Sequence, residues 1–349
     1  MPINSIYFVS TILHLYVAST IALQRKDENA HLVIIDQPEN TGFPVMEAYN
    51  NWKSSPFKTT HQYFGRYKKL ADKLKSRRKT FKKLQQLIQE LHPKHIFIGN
   101  DRRIEFQYAM AQCQQQGVSC TGHYMDEGVF TYTGRKASSS IADKYIDNAI
   151  KKLTYGAWWK NPATIGGSEW INEIHVAFPE LVHPILQTKV INHLDSNQFK
   201  SDDLIELSKC ILQQCQISSE SLKGLDILLT LPHESIFEKN TGYEHQIKEL
   251  VSELQNKGLL VAAKYHPRNS GEDLLNLKQS DVHIIPSAAV LEALLTVLPE
   301  RAAVIGDMSS TMLITRWLRE DMPVYYIKDS DKDLTYILNK VGVKNINQL

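Results

Sequence analysis

Three short polar groups, each directly after an apolar run, hold the acidic, basic and hydroxyl side chains best placed for chemistry. Asp126-Glu127-Gly128 follows the run from Ser119 to Tyr124, and His266-Pro267 follows the run from Leu259 to Lys264. In parallel sheets ligands bind outside the carboxyl ends of the strands, so these are positions where function is expected. Taken alone, an acidic pair before glycine is a common turn, and a His-Pro pair is a cap or a bend. The third group, Gly306-Asp307-Met308-Ser309-Ser310, joins the run Ala302–Ile305 to a helical pattern starting near Thr311. Serine hydroxyls and free N–H groups at a helix start suit a phosphate, although one serine there is equally a plain cap.

Other charged groups are open to two readings. Asn100-Asp101-Arg102-Arg103 follows the run His95–Ile98; Arg102 or Arg103 could grip a carboxylate bidentately, or sit as surface charge beside a helix cap. Between Arg66 and Lys83 ten Lys or Arg stand against one acid, Asp72. That is the pattern of a solvated helix face, and also of a surface for anionic lipid or a polyanionic chain. Asp329-Ser330-Asp331 has the form of a metal-diphosphate motif, but in its charged surroundings reads as a solvated turn.

The elements that must position these groups alternate regularly. Buried parallel strands are expected at Ile6–Val9, His31–Ile35, His95–Ile98 and 119–124, then at 225–229, 259–264, 282–285, 302–305 and 324–327, with helices between them. This predicts two α/β domains with mostly parallel sheets: 1–155, then 156–328 with a helical connection over 156–220, and a tail helix over 329–349 that could pack back on the first domain. The 349 residues, 42% hydrophobic and 22% charged with a net charge of +2, fit a soluble globular protein and give no case for nucleic acid. Cys113, Cys120, Cys210 and Cys215 lack the paired spacing of a zinc site. No Lys, Arg, Asp or Glu occurs in the first 24 residues, yet Ser10, Thr11, His14, Ser19 and Thr20 interrupt the apolar stretch. The segment is expected to be a strand, a turn and a helix ending near Gln24 rather than a membrane anchor.

In order and spacing the three groups resemble the motifs of bacterial sialyltransferases: acidic-acidic-Gly, then His-Pro, then Ser-Ser. The likeness extends through Ile285-Pro286, Leu291-Glu292-Ala293-Leu294-Leu295, Leu298-Pro299 and Met308-Ser309-Ser310, and from the acidic motif on to Tyr132. It covers about 265–318 and 124–132, and does not separate the lipooligosaccharide, multifunctional and polysialyl branches.

The resemblance implies a GT-B-like fold, two Rossmann-like domains facing a cleft, and an inverting transfer of sialic acid or a related nonulosonic acid from its CMP-activated donor. Asp126 would be the general base, with Glu127 its internal rival, and His266 would donate a proton to the leaving phosphate. Pro267 would border the nucleotide, Glu292 would hold the ribose hydroxyls, and Ser309 and Ser310 the phosphate oxygens. Gly128, Asn100, Arg102 and Arg103 are expected in supporting or acceptor roles. No metal and no cofactor are expected; the partners are the CMP-sugar donor and an oligosaccharide or glycolipid acceptor of a lipopolysaccharide or capsule. The place expected is the cytoplasm, with peripheral contact to the inner membrane through Arg66–Lys83. Two other readings remain open: a CDP-alditol glycerol- or ribitol-phosphotransferase of the teichoic-acid type, and a non-catalytic glycan-binding protein of the same fold.

Overall fold

A computed structural model describes residues 2–67, 70–135, 151–328 and 331–349. The chain divides into two units, the first made of 1–46 and 53–198, the second of 47–52 and 199–349.

The first unit holds a seven-stranded, all-parallel sheet. Its strands are β1 (Ile3–Val9), β2 (Glu28–Pro38), β3 (Phe57–Arg66), β4 (His95–Ile98), β5 (Thr121–Met125), β6 (Glu173–Val176) and β7 (Val190–His193), in the order β3-β2-β1-β4-β5-β6-β7. Central strands covered on both faces must be continuously apolar. Ile6, Tyr7, Phe8 and Val9 are accordingly buried, as are Ile96, Phe97 and Ile98. Between β1 and β2, helix α1 (Ile12–Gln24) starts at Thr11, whose hydroxyl accepts from the His14 N–H at 3.2 Å. It is buried almost all round, from Leu13 to Ala22, which explains the absence of charge in the first 24 residues. Among the described residues no helix is long and apolar enough to cross a membrane. Helix α2 (Met46–Asn51) precedes β3, helices α3 (Leu70–Leu91) and α4 (Ile104–Gln115) flank β4, and the short helix α5 (Val129–Thr133) follows β5.

The second unit opens with helix α6 (Asp202–Gln214), capped by Ser201 and burying Leu204, Leu207, Ser208, Ile211 and Leu212 on one stripe. Its all-parallel sheet is six-stranded, in the order β10-β9-β8-β11-β12-β13. The strands are β8 (Ile227–Thr230), β9 (Val261–Lys264), β10 (His283–Ile285), β11 (Ala303–Gly306), β12 (Val324–Tyr326) and β13 (Lys344–Asn345). Helices α7 (Glu234–Lys239) and α8 (Tyr243–Asn256) link β8 to β9, α9 (Leu291–Leu295) precedes β11, α10 (Ser310–Leu318) follows it, and α11 (Lys332–Lys340) precedes β13.

Three expectations about organisation need correcting. The boundary lies at 198/199 rather than at 155, because β6 and β7 extend the first sheet. Of the stretch 156–220, residues 156–198 belong to the first unit and carry β6 and β7, while 199–220, with helix α6, belong to the second. The tail is not a lone helix for the first domain: α11 leads into β13, which pairs with β12 in the second sheet.

Candidate functional site

In both sheets the strand order reverses direction, between β1 and β4 in the first and between β8 and β11 in the second. Such switch points leave a crevice outside the carboxyl ends of the strands, and the charged groups singled out above lie at or beside these two places.

In the second unit a cavity of about 700 Å³ opens at the switch point, a size suited to a nucleotide. Thr230 and His233 come from the end of β8, His266 from the end of β9, Asp307, Ser309 and Ser310 from the β11–α10 turn, and Lys328 from beyond β12. Gly306 is required where this turn begins: a Cβ there would lie 2.2 Å from the Thr230 hydroxyl and 2.6 Å from its carbonyl oxygen. Ser309 occupies the N-cap position of α10 without using its hydroxyl as a cap, so backbone N–H groups and hydroxyls are presented together. His266 stands edge-on to His233 with ring centroids 5.4 Å apart. The Nδ1 atom of His266 accepts from the Arg268 N–H at 3.2 Å, and Nδ1 of His233 is engaged by Ser235. Burial first, then Arg268, His233 and Lys264, hold the His266 imidazole below its ordinary value. Asp307 accepts from the Tyr243 hydroxyl at 2.9 Å, and burial raises its carboxyl.

His233 went unread in the sequence, although Pro232-His233 after an apolar run is the same signal as His266-Pro267 with its residues reversed. Pro267 is exposed and Glu292 is buried; neither is among the residues lining the cavity. Burial raises the Glu292 carboxyl against the attraction of Lys264.

In the first unit the acidic pair is split by its surroundings. Asp126 is 1% exposed. Its Oδ1 accepts from the Gly128 N–H and the Thr131 hydroxyl, each at 2.8 Å, and its Oδ2 accepts from the Ala177 N–H at 3.0 Å and from the Tyr132 hydroxyl. Both oxygens are thus occupied. Burial raises this carboxyl while the four donors pull it back. Gly128, at φ 93° and ψ −135°, adopts a conformation that a side chain would strain, and that conformation brings its N–H to Asp126. Glu127 is different. Its Oε1 accepts from the Asn100 side-chain amide at 3.2 Å, while its Oε2 is buried without a hydrogen-bond partner. Burial pushes its carboxyl up to about 7, against the pull of Asn100 and Arg103.

Asn100 is fixed by its Oδ1, which accepts from the Arg102 N–H at 3.1 Å. Arg103 is already committed to Asp36 at 2.8 Å, and Asp36 also holds Arg66 at 3.1 Å. Arg102 is partly buried beside them. Asp101 accepts from the N–H groups of Gly166 and Ser168 at 2.9 and 2.8 Å, so it braces a loop. Of the basic stretch, Lys75, Arg78, Lys79 and Lys82 are exposed at the spacing of one stripe of α3, while Arg77 and Lys83 lie over Tyr155 and Tyr63. Lys68 and Lys69, and Asp329 and Ser330 of the Asp-x-Asp sequence, lie outside the described residues.

The family model of alpha-2,8-polysialyltransferases matches residues 5–328. No curated protein matches the sequence. Among solved structures, the alpha/beta-galactoside alpha-2,3-sialyltransferase of the luminous marine bacterium Photobacterium phosphoreum superposes with a TM-score of 0.57 at 15% identity, over 100% of both chains. The UDP-GlcNAc 2-epimerase of Methanocaldococcus jannaschii gives 0.58 at 12% identity, over 99% of this chain and 88% of the other. The UDP-GlcNAc 2-epimerase of Neisseria meningitidis gives 0.52 at 11% identity, over 99% and 87%. At these identities the likeness concerns the fold, two GT-B-like α/β units, in agreement with the expected class.

Proposed function

The chain belongs to the alpha-2,8-polysialyltransferase family, and from that premise we propose that it moves sialic acid from a CMP-activated donor to the hydroxyl of a glycan that itself ends in sialic acid. The observation that carries the donor assignment is the cavity at the second switch point, where two imidazoles, two hydroxyls, a helix start and Lys328 converge. This is a cradle for a phosphate, with the strand-end crevice for the nucleoside. Ser309 and Ser310 would hold phosphate oxygens and His266 would protonate or hydrogen-bond the leaving oxygen, with His233 beside it. An incoming phosphate would raise the His266 imidazole. Glu292 in contact with the ribose and Pro267 beside the base remain part of this reading.

In the reaction, the acceptor oxygen forms its bond to the anomeric carbon as the bond from that carbon to phosphate breaks. The electron pair leaves with CMP, the acceptor proton goes to a carboxylate, and the configuration inverts. Of the two acids, Glu127 is the better base: it has an oxygen free of partners and a carboxyl poised near 7, whereas both oxygens of Asp126 are occupied. Asp126, the residue the motif suggests first, then orders the turn that presents Glu127. Charge on the leaving phosphate is met by fixed donors, so no metal is called for.

The test is release of CMP from CMP-sialic acid, with and without a sialylated oligosaccharide, in the presence of a chelator. Acceptor-stimulated release that is lost in Glu127→Gln and His266→Ala is the expected result. Turnover of a CDP-alditol donor instead would replace this reading with the phosphotransferase. CMP binding without turnover of either donor would replace it with a binding protein.

A further inference from the structure

Three histidines stand side by side across the first sheet: His95 on β4, His123 on β5 and His175 on β6. Nδ1 of His95 lies 2.9 Å from Nε2 of His123, and Nδ1 of His123 lies 3.2 Å from Nε2 of His175. The strand register sets Glu173 opposite His123, and its Oε2 is 3.7 Å from Nδ1 of His123. Among the described residues, His123, Glu173 and His175 are the group whose ligand atoms all lie within 4.8 Å of one another.

We propose that His123, Glu173 and His175 form a zinc site, with the fourth position open to water past the partly exposed Glu173. Two ligands at about 2.0–2.1 Å on a tetrahedral zinc stand about 3.3 Å apart, and the two measured separations of 3.2 and 3.7 Å bracket that spacing. Two imidazoles and a carboxylate are a ligand set that zinc favours. His95 stands behind His123, its Nδ1 within reach of His123 Nε2 and its own Nε2 3.8 Å from Glu28, so this chain can hold the proton of a zinc-bound His123 on the nitrogen that faces away from the metal. Asn192 donates to Oε2 of Glu173 at 3.1 Å, the kind of outer contact that orients a ligand. Arg25, whose guanidinium lies 5.5 Å from the centre of the Phe97 ring, opposes a cation here; its ion pair with Glu28 at 2.7 Å offsets that charge.

The role is structural. The His175 carbonyl accepts from the Asp126 N–H at 2.9 Å, and Ala177, just past β6, donates to the Asp126 carboxylate. An ion joining β5 to β6 would therefore brace the turn that carries the acidic pair without touching the reacting groups.

The full chain, purified without a histidine tag and stripped with a chelator, is titrated with Zn²⁺ against a chromophoric competitor. Bound metal is counted after gel filtration, and Co²⁺ serves as a spectroscopic substitute. One zinc per chain, a tetrahedral Co²⁺ absorption band, and at least tenfold weaker binding in Glu173→Gln and His123→Asn are expected. His95→Ala, which removes a supporting contact rather than a ligand, is expected to weaken binding about 10–100-fold. The double variant His233→Ala, His266→Ala should still bind one zinc, which excludes the other histidine pair as the source. If His123→Asn fails to fold, Glu173→Gln at the partly exposed ligand carries the test. No retained zinc in the parent chain, or unchanged affinity in folded Glu173→Gln, overturns the site.

Discussion

At the scale of single residues, neighbouring acids are given opposite surroundings by their partners, and the difference is measurable. Asp126→Ala leaves the buried N–H groups of Gly128 and Ala177 without an acceptor, at about 1–3 kcal/mol for each orphaned group. Denaturant unfolding should therefore show a loss of several kcal/mol, together with loss of activity. Glu127→Gln keeps the shape and the Asn100 contact, so its stability at neutral pH should hold or rise while transfer falls by about 10²–10⁴-fold. The pH dependence follows from the same carboxyl. With its folded value raised from 4.5 to about 7, Glu127 is protonated in the folded chain and ionised in the unfolded chain between those values. Its contribution to stability is fully present below about 4.5 and is lost as pH rises to about 7. Glu127→Gln should flatten that part of the stability profile. For catalysis, kcat/KM should climb as Glu127 ionises toward pH 7, while His266, held below its ordinary value in the free protein, must be protonated to act as an acid. Donor phosphate raises the imidazole, so the alkaline limb of kcat should lie above that of kcat/KM. Identical limbs in the two profiles would remove His266 from the role of acid.

At the scale of elements, what was legible in the sequence was what burial enforces. β1, β4, β8 and β11 are short apolar runs because both of their faces are covered, and the motif residues could be placed because they follow such runs. The strands that escaped notice are at or near the edges. β3 reads Phe-Lys-Thr-Thr-His-Gln-Tyr-Phe-Gly-Arg, and Val190 and Ile191 of β7 are exposed, so neither carries the signature of a buried strand. β6, only Glu-Ile-His-Val, was hidden by its histidine and glutamate, and with β6 and β7 went the true domain boundary. The partition of the acidic pair was illegible for a related reason. The donors from Ala177 and Tyr132 reach Asp126 only once β6 lies beside β5 and the chain after Gly128 turns back. The β11–α10 turn offers a test at this scale. Gly306→Ala drives a methyl group to 2.2 Å from the Thr230 hydroxyl, with the Thr230 backbone just behind it, so shortening that side chain cannot relieve the clash. Overpacking of this kind costs about 1–3 kcal/mol. Thermal unfolding should show that loss, and calorimetric titration should show weakened CMP binding that Thr230→Ala, which removes the hydroxyl but not the carbonyl behind it, does not restore.

At the scale of the whole chain, the near-neutral net charge conceals a strong local imbalance. Of the forty Lys and Arg, ten fall between Arg66 and Lys83 against one acid, so the remainder of the chain, with thirty basic against thirty-seven acidic residues, is net negative. Lys75, Arg78, Lys79 and Lys82 form an exposed stripe on α3, while the Arg77 and Lys83 beside them lie over aromatic rings. Exposed charges on one helix face contribute little to stability, so replacing all four by Gln should change unfolding free energy by roughly 0.5 kcal/mol or less per site. Their effect should appear in association. A long polyanionic acceptor would be drawn to such a stripe through many weak contacts, which a short acceptor is expected not to make. The fourfold variant should raise KM for long sialylated acceptors by about tenfold at low salt, with kcat unchanged. The difference should close near 1 M salt, where screening reaches within about 3 Å of each charge. An equal loss on a short acceptor would place these side chains near the reaction instead. An unchanged KM at every salt concentration would leave the stripe to anionic lipid, and sedimentation of the chain with vesicles rich in anionic headgroups would then separate the variant from the parent.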